Sequence, residues 1–564
     1  WRGFFPNDVN TISVNPTYVD NTQSLQLTNY APFATRRIPG VTRDINDSLR
    51  AFTTAMGCYK GFDPRGVDAI LNSISDLQSG AVVNQSDSVR VELLNGGNTT
   101  LTTATINWSI NGVNQAPVTW TGSLATEQSV MVTLGAITYV AKTNAVKAWI
   151  SSIGNLTDED KSNDTIETSG YACTAALAGT YTVGTATSDF PTLEEAIESL
   201  TYCGLTSDVT MKFASGTYDA LNLSDLDFNY LVTFTSATGN ANDVKFVSSA
   251  NAMTLSNVSK MRFEHVTFDA SSGNGAAVYL MGMITNVDFY ACNLTASPSG
   301  STNTSAGVYY NNGSSSSTTT LSNVTFIKNN ISGGYAGMYL YYMGGATTNV
   351  TSGTCRVTID DNNFTNFYCA GIYSYYYSRY KSISHNTFVS RAASATQYAM
   401  YLNYYNILDS GIVGNKILMQ GTSTNYGLYC YYINSSSYSA YPALFANNEI
   451  RKLSGGSTNY GAYVYYPRIK MYNNSMLIKG TGTNYGIYHY STSSSYSCDM
   501  RNNILATGSG YPIYCSSATY VTPTYVTTDY NNYYSTAGTI GYTGVAQTTL
   551  AALRSATGQD AHSI

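Results

Sequence analysis

Residues able to do chemistry are sparse in this chain. Hydrolysis of a glycosidic bond needs two carboxyl groups at a controlled separation. Residues 303–545 hold six acids, Asp360, Asp361, Asp409, Glu449, Asp499 and Asp529. Only the first two adjoin, and a turn accounts for that pair. Eliminative cleavage needs a base with a cationic site beside it; Arg468-Ile469-Lys470 supplies cations without a complete constellation. The histidines, His265, His385, His489 and His562, are scattered, and none of the nine cysteines stands in a CxxC pair, so metal-site spacing is absent. Cys173 and Cys203 bracket a short segment and are the candidate disulfide; the other cysteines are expected as buried thiols. Asp158, Asp160 and Asp164 lie in an acidic turn that departs from the EF-hand pattern. A solvated loop is the expectation there, with Ca²⁺ the lesser alternative. The reading is of a chain with no catalytic residues and no cofactor, not an enzyme.

The composition agrees. Of 564 residues, 28 are Lys or Arg and 34 Asp or Glu, giving 11% charged side chains and a net charge of −6, where an ordinary domain carries roughly 25% charged residues. No basic surplus is left to neutralise a phosphate backbone, which excludes a general nucleic-acid role. No apolar run is long enough to span a membrane. Trp1 to Asn10 lacks an initiator Met and the pattern of a signal peptide, so the segment reads as an internal or processed piece whose targeting signal lies elsewhere. The missing charge is replaced by 50 Tyr and 47 Gly amid Asn, Ser and Thr, a polar, uncharged composition expected outside the cell.

The elements that would position these residues show as repeats. A Gly/Ala-x-Tyr signal recurs at Tyr279, Tyr309, Tyr339, Tyr373, Tyr401, Tyr429, Tyr463 and Tyr488, and with Pro512 in the first place at Tyr514, 25 to 34 residues apart. A second beat of Asn pairs runs between, at 329–330, 362–363, 447–448, 473–474, 502–503 and 531–532. A period near 29 built from Tyr, Asn, Ser and Thr predicts coils of a parallel β-helix and excludes helical repeats. Stacked Asn at the turns would form amide ladders. In Gly337-Met338-Tyr339-Leu340-Tyr341 the aliphatics share one face and the tyrosines the other. A narrow lumen takes the aliphatics, so Tyr339, Tyr341, Tyr373, Tyr375, Tyr429, Tyr431, Tyr463, Tyr465, Tyr488 and Tyr490 are expected to face outward as a contact surface. Residues 303–545 hold 39 of the 50 tyrosines.

Upstream, alternating strands at 89–94, 104–110, 129–134 and 145–150 predict a β-sandwich. Thr192 and Glu195 form a capping box for a helix near 192–200, placed to cap the coil stack. The ends also resemble each other: aligning Trp1 with Leu553 places Arg2 on Arg554, Asp8 on Asp560 and Ile12 on Ile564. One period of a tandem array is the economical explanation. The expected divisions are 1–63, the end of a preceding β-helix unit; 64–170, the sandwich; and 171–564, the β-helix.

Gly179-Thr180-Tyr181-Thr182-Val183-Gly184, the run Asp189-Phe190-Pro191-Thr192-Leu193-Glu194-Glu195-Ala196-Ile197 and Gly216-Thr217-Tyr218 resemble the entry to right-handed parallel β-helix proteins exported by Bacteroidota. Thr557-Gly558-Gln559-Asp560, with Asn15-Pro16 and Thr42-Arg43-Asp44, resembles their exit, and the sandwich resembles the adhesion-type Ig-like modules that accompany them. The resemblance implies an all-β chain, an Ig-like sandwich followed by a pectate-lyase-like solenoid. It also implies type IX secretion cargo: a giant surface adhesin or grappling-hook-like attachment filament, extracellular and attached to the cell surface. Its partners would be other copies of the chain and glycans or proteins on target cells. Galacturonan hydrolases of this fold carry Asn-Thr-Asp, Asp-Asp, Gly-His-Gly and Arg-Ile-Lys in order; here Asp360-Asp361 and Arg468-Ile469-Lys470 appear without the other two. The main expectation is therefore a non-catalytic adhesive segment; the alternative is a cell-surface polysaccharide-binding or polysaccharide-cleaving β-helix.

Overall fold

A computed structural model describes residues 65–313, 320–344, 355–435, 439–517 and 521–564, with short stretches between 16 and 59. The N-terminal half of the proposed seam, Trp1 to Asn15, and most of the segment 1–63 lie outside the described residues. The chain divides into two compact units, one of Trp1–Ala176 with Glu198–Gly204, the other of Leu177–Ile197 with Leu205–Ile564.

In the first unit, strands Ala69–Ser75, Ser86–Asn95 and Ser129–Thr138 pair antiparallel in one sheet. The second sheet is built on Leu101–Ile110, Val118–Leu124, Lys142–Ser152 and Thr165–Cys173. Period-2 alternation buries Val89, Val91, Leu93, Ile106, Trp108, Val146 and Ala148 between them. Cys173 and Cys203 are joined in a disulfide, with Cα atoms 5.5 Å apart. Of the free cysteines, Cys58 is exposed, which corrects the expectation of buried thiols there. Thr192 Oγ1 accepts from the Glu195 N–H at 3.2 Å, at the start of helix Leu193–Tyr202.

The second unit is a parallel β-helix whose described residues form two sheets, one of 24 strands and one of 12. A representative coil runs Thr458–Tyr465, Ile469–Tyr472, Ser475–Ile478. Like residues stack in register: Asn459 on Asn425 and Asn484, Tyr463 on Tyr429 and Tyr488. Inward positions form the core. Early coils stack Phe234, Phe263, Phe289 and Phe326 with centroids 4.9–5.2 Å apart; later ones use Ile359, Ile383, Ile412 and Met471. The lumen is thus not purely aliphatic. Tyr310 and Tyr380 also point into it, because Tyr310 shares register with Leu280 and Leu340. The glycine of the Gly-x-Tyr signal answers a close approach: a Cβ at Gly461 would sit 2.5 Å from the Gly486 carbonyl oxygen. A second helix, Leu550–Thr557, follows the last coils. Its signals are Thr549, whose Oγ1 accepts from the Ala552 N–H, and Gly558 in the left-handed region at φ 66°. With only Leu553 buried, it lacks the apolar stripe that periodicity would reveal.

One corner is held by a buried asparagine ladder through Asn329, Asn362, Asn386, Asn415, Asn448, Asn474, Asn503 and Asn531. Each Oδ1 from Asn362 onward accepts from the backbone N–H and the Nδ2 of the residue one coil back, at 2.9–3.1 Å. Each Nδ2 also donates to a strand carbonyl, as Asn448 does to Ile412 at 3.0 Å. Replacing Asn448 by Leu strips acceptors from Asn415 and a donor from Ile412 in a dry interior. We expect a loss of about 2–4 kcal/mol in chemical denaturation, and a near-neutral effect would show that the ladder does not hold the corner.

Candidate functional site

The tyrosines of the repeat form one continuous lattice on the outer face of the larger sheet. The main column runs Tyr279, Tyr309, Tyr339, Tyr373, Tyr401, Tyr429, Tyr463, Tyr488, Tyr514, Tyr542. Successive centroids lie 4.5–5.2 Å apart with planes within 14°. Two residues along each strand a second column begins: Tyr341 stacks on Tyr375 at 5.5 Å, and Tyr431, Tyr465 and Tyr490 follow at 5.0 and 4.6 Å after Asn403 interrupts. All ten tyrosines named from the sequence stand in these two columns. Tyr339 is 9% exposed and the others are half-buried, because each ring covers its neighbours.

Two further columns flank these. Tyr398, Tyr426, Tyr460 and Tyr485 stack at 4.7–4.8 Å and meet the main column edge-on, as in Tyr426 against Tyr429 at 90°. The two columns tilt in opposite senses and make a herringbone. At the far edge, Tyr342, Tyr376, Tyr404, Tyr432 and Tyr466 occupy the turn after the strand, all at φ between 45° and 62°. Left-handed backbone is unfavourable for a bulky residue; stacking offsets it here, with Tyr432 on Tyr466 at 5.2 Å and 5°. The sequence reading missed both flanking columns. Their signals were the repeated Thr-Asn-Tyr-Gly at 424–427, 458–461 and 483–486, and the doublets Tyr341-Tyr342, Tyr431-Tyr432 and Tyr465-Tyr466.

The lattice is electrically blank. Strands Ala336–Tyr341, Ala370–Tyr375, Gln397–Asn403, Thr424–Tyr431, Thr458–Tyr465, Thr483–Tyr490 and Tyr511–Cys515 contain no charged residue. Burial, then neighbouring phenols, raises the pKa of Tyr373, Tyr429 and Tyr488 above the ordinary phenol value, and burial pushes Tyr426 up to about 12. The hydroxyls therefore remain neutral, able both to donate and to accept. Because the faces lie against one another, the outer surface consists of ring edges and hydroxyls. A cavity of about 350 Å³ opens where the columns begin to widen, lined by Tyr335, Tyr368, Tyr373, Thr396, Tyr398 and Tyr401.

The other sequence candidates are dispersed. Asp360 accepts from Ser382 Oγ at 2.6 Å and Ser384 N–H at 2.9 Å, while Asp361 takes the left-handed corner at φ 59°. Arg468 donates to the carbonyls of Ser439 and Ala440. Asp360 and Lys470 lie four strand spacings apart, about 19 Å. Asp409 bridges Arg356 and Arg379, each at 2.8 Å. On the smaller sheet a groove of about 510 Å³ is lined by Asn447, Glu449, Arg451, Asn473, Leu477 and Ile504. His489 alone among the histidines points into the lumen, 1% exposed, with neither ring nitrogen hydrogen-bonded.

No family model and no curated protein matches the sequence. Among solved structures, the chain is similar to a family 28 exopolygalacturonase from Yersinia enterocolitica, at 9% identity and TM-score 0.26, covering 86% of this chain and 98% of that one. It is also similar to the catalytic domain of a GH87 α-1,3-glucanase in complex with nigerose, at 12% identity and TM-score 0.24, covering 85% and 95%. A CARDB domain from Pyrococcus furiosus matches at 16% identity and TM-score 0.18, covering 20% of this chain and 93% of that one. The β-helical matches are enzymes, contrary to the expectation of a chain that is not one; at these identities they speak to the fold alone. The likeness otherwise extends to the fold: a parallel β-helix with an Ig-like sandwich. No helix among the described residues is long and apolar enough to cross a membrane.

His489 generates a prediction. Burial lowers its pKa from 6.5 to about 3. A depressed histidine contributes stability that is complete above the unfolded value and is lost as pH falls toward the folded one. Between those limits the unfolded chain takes up a proton that the folded chain refuses. His489→Val, matching Val464 one coil back, should stabilise the β-helix at about pH 5 by about 2 kcal/mol relative to its effect at about pH 7.5. Denaturation midpoints with the same pH dependence in both proteins would refute this.

Proposed function

We propose that the chain is an extracellular, cell-surface protein that binds polysaccharide, with the tyrosine lattice as its binding face and a neutral, hydroxyl-rich glycan lying along the coil axis as its ligand. The carrying observation is the lattice itself, four columns of neutral phenols repeating at the coil spacing on strands without a charged residue. A face lacking Lys and Arg has nothing to neutralise phosphate or sulfate groups. One lacking Asp and Glu does not select cationic partners. What it offers is a grid of hydroxyls on rigid rings that lose little conformational freedom on binding. Sugar hydroxyls match that grid, and an extended β-linked chain repeats on nearly the same length as the coils. Many weak contacts along one polymer then add through avidity, which suits attachment to a glycan-coated surface.

The test is a glycan array and pull-down with insoluble neutral polysaccharides, paired with a reducing-end assay for turnover. Binding should be insensitive to salt, since no charge pair forms. Y431S/Y465S, which opens two columns at the surface, should weaken it at least about tenfold while the thermal midpoint confirms folding. Strong salt dependence, or unchanged affinity in the double variant, would remove the lattice as the binding face. Self-association of the isolated chain that the same variant abolishes would assign the face to a second copy instead.

A further inference from the structure

Two tyrosine doublets at the edge of the lattice are closer than stacking requires. Strand Ala370–Tyr375 ends on a tyrosine and the turn residue after it, Tyr376, is another; strand Thr424–Tyr431 with Tyr432 repeats the arrangement two coils on. The turn residues stand at φ 62° and 55°. Their N–H groups donate to the next coil, Tyr376 to the Asn403 carbonyl at 3.0 Å and Tyr432 to the Tyr465 carbonyl at 3.2 Å. Their rings are held by stacked neighbours, Tyr376 between Tyr342 and Tyr404 at 4.8 and 5.0 Å, and Tyr432 against Tyr466 at 5.2 Å. In this setting the two ring centroids of each doublet lie 4.2 Å apart, with planes at 85° in Tyr375-Tyr376 and 45° in Tyr431-Tyr432.

That separation is short for rings that merely touch, which sit roughly 4.5–7 Å apart. It is close to that of a biaryl, whose ring centres stand about 4.3 Å apart across two ring radii and one carbon–carbon bond. The tilt matters too, because the joining bond of a biaryl lies in the planes of both rings, which parallel stacking forbids and a turned pair permits. The doublets Tyr341-Tyr342 and Tyr465-Tyr466 are turned as well, yet stand further apart, at 4.9 Å. Within each close doublet the phenols act on one another: after burial, Tyr376 is the neighbour that raises the Tyr375 pKa most, and Tyr432 the one that raises Tyr431 most. Side chains that would divert an oxidant from the doublets lie elsewhere. Trp1, Trp108, Trp120 and Trp149 precede the β-helix, and Met338, Met400 and Cys430 are enclosed in the lumen with no exposed surface.

We propose that Tyr375-Tyr376 and Tyr431-Tyr432 are sites of oxidative cross-linking, each doublet joining through the ring carbons beside its hydroxyls into one dityrosine unit. The oxidant is hydrogen peroxide acting through a haem peroxidase. Each phenol gives up one electron and its hydroxyl proton and becomes a phenoxyl radical. The two radicals pair in a new carbon–carbon bond. The ring hydrogen at each joined carbon then moves as a proton to the oxygen, which restores both aromatic rings and both hydroxyls. The two electrons and two protons released reduce one peroxide to two waters. Radicals formed on other phenols pass along the main column, whose rings lie 4.5–5.2 Å apart, and are trapped where a turned, close pair allows a bond. The bond locks the turn residue in its left-handed conformation and fixes the edge of the lattice. The chemistry is the same whether or not the face binds glycan.

The experiment treats the full chain with hydrogen peroxide and a haem peroxidase, then digests it with trypsin for mass spectrometry. Cleavage after Lys and Arg isolates Tyr375-Tyr376 in residues 357–379, Tyr431-Tyr432 in 417–451 and Tyr465-Tyr466 in 453–468. The first two peptides should each lose two hydrogens and gain the fluorescence of a biaryl phenol, in a chain that remains single on a denaturing gel, while 453–468 keeps its mass. Tyr376→Phe and Tyr432→Phe retain a stacking ring without the phenol. Each should abolish the loss in its own peptide and leave the other peptide's loss intact, with an unchanged thermal midpoint showing that the coil is formed. Unaltered masses of both peptides in the parent would overturn the proposal. So would a loss that survives in Tyr376→Phe or Tyr432→Phe, an equal loss in 453–468, or coupling found only between separate chains.

Discussion

Everything in the β-helix depends on satisfying the backbone at a corner that faces a dry lumen. A parallel coil must bend sharply at each turn, and the bend takes peptide groups out of the strand ladder. The Asn column supplies what is missing, for each amide accepts from the coil before and donates to a strand carbonyl. The residue before each ladder member adopts a left-handed conformation, φ 54–71°, whether it is Lys328, Asp361, His385, Gly414, Asn447, Asn473, Asn502 or Tyr530. The corner is thus fixed in shape, and its identity at that preceding position is free. At the final described coil Ser563 Oγ takes the place of an Asn, accepting from the Asn531 N–H at 2.9 Å.

Once the corner fixes the register, the outer face follows. In-register parallel strands place identical residues directly above one another. With tyrosine at four positions of the coil, the outcome is four columns. Stacking at the coil spacing stabilises the array and orders the rings, so the surface is rigid in itself. The same geometry covers the ring faces and leaves edges and hydroxyls outward, which is why the site is described by hydroxyl chemistry more than by flat aromatic platforms.

Charge is handled differently in the two units. The β-helix keeps its tyrosine face free of charge and pairs exposed ions elsewhere, as in Arg501 with Asp499 and Arg451 with Glu449, pairs worth little individually. The sandwich instead buries Asp68 and Asp164 among other acids.

Much of this was legible from the residues. Alternation in Gly337-Met338-Tyr339-Leu340-Tyr341 separates inside from outside because strand periodicity is local and needs no knowledge of neighbours. The sandwich strands follow from the same rule. What the chain alone left ambiguous was phase. In the pairs 329–330, 362–363 and 531–532 the first Asn joins the ladder, while in 447–448, 473–474 and 502–503 the second does. Asn386 and Asn415, preceded by His385 and Gly414, formed no pair to be noticed. Likewise the doublets Tyr309-Tyr310 and Tyr431-Tyr432 look alike, yet Tyr310 enters the lumen and Tyr432 turns onto the surface. Composition and periodicity determined a coil with tyrosine outside. Only tertiary register decided which residue meets which, since that depends on contacts some thirty residues away that no local pattern encodes.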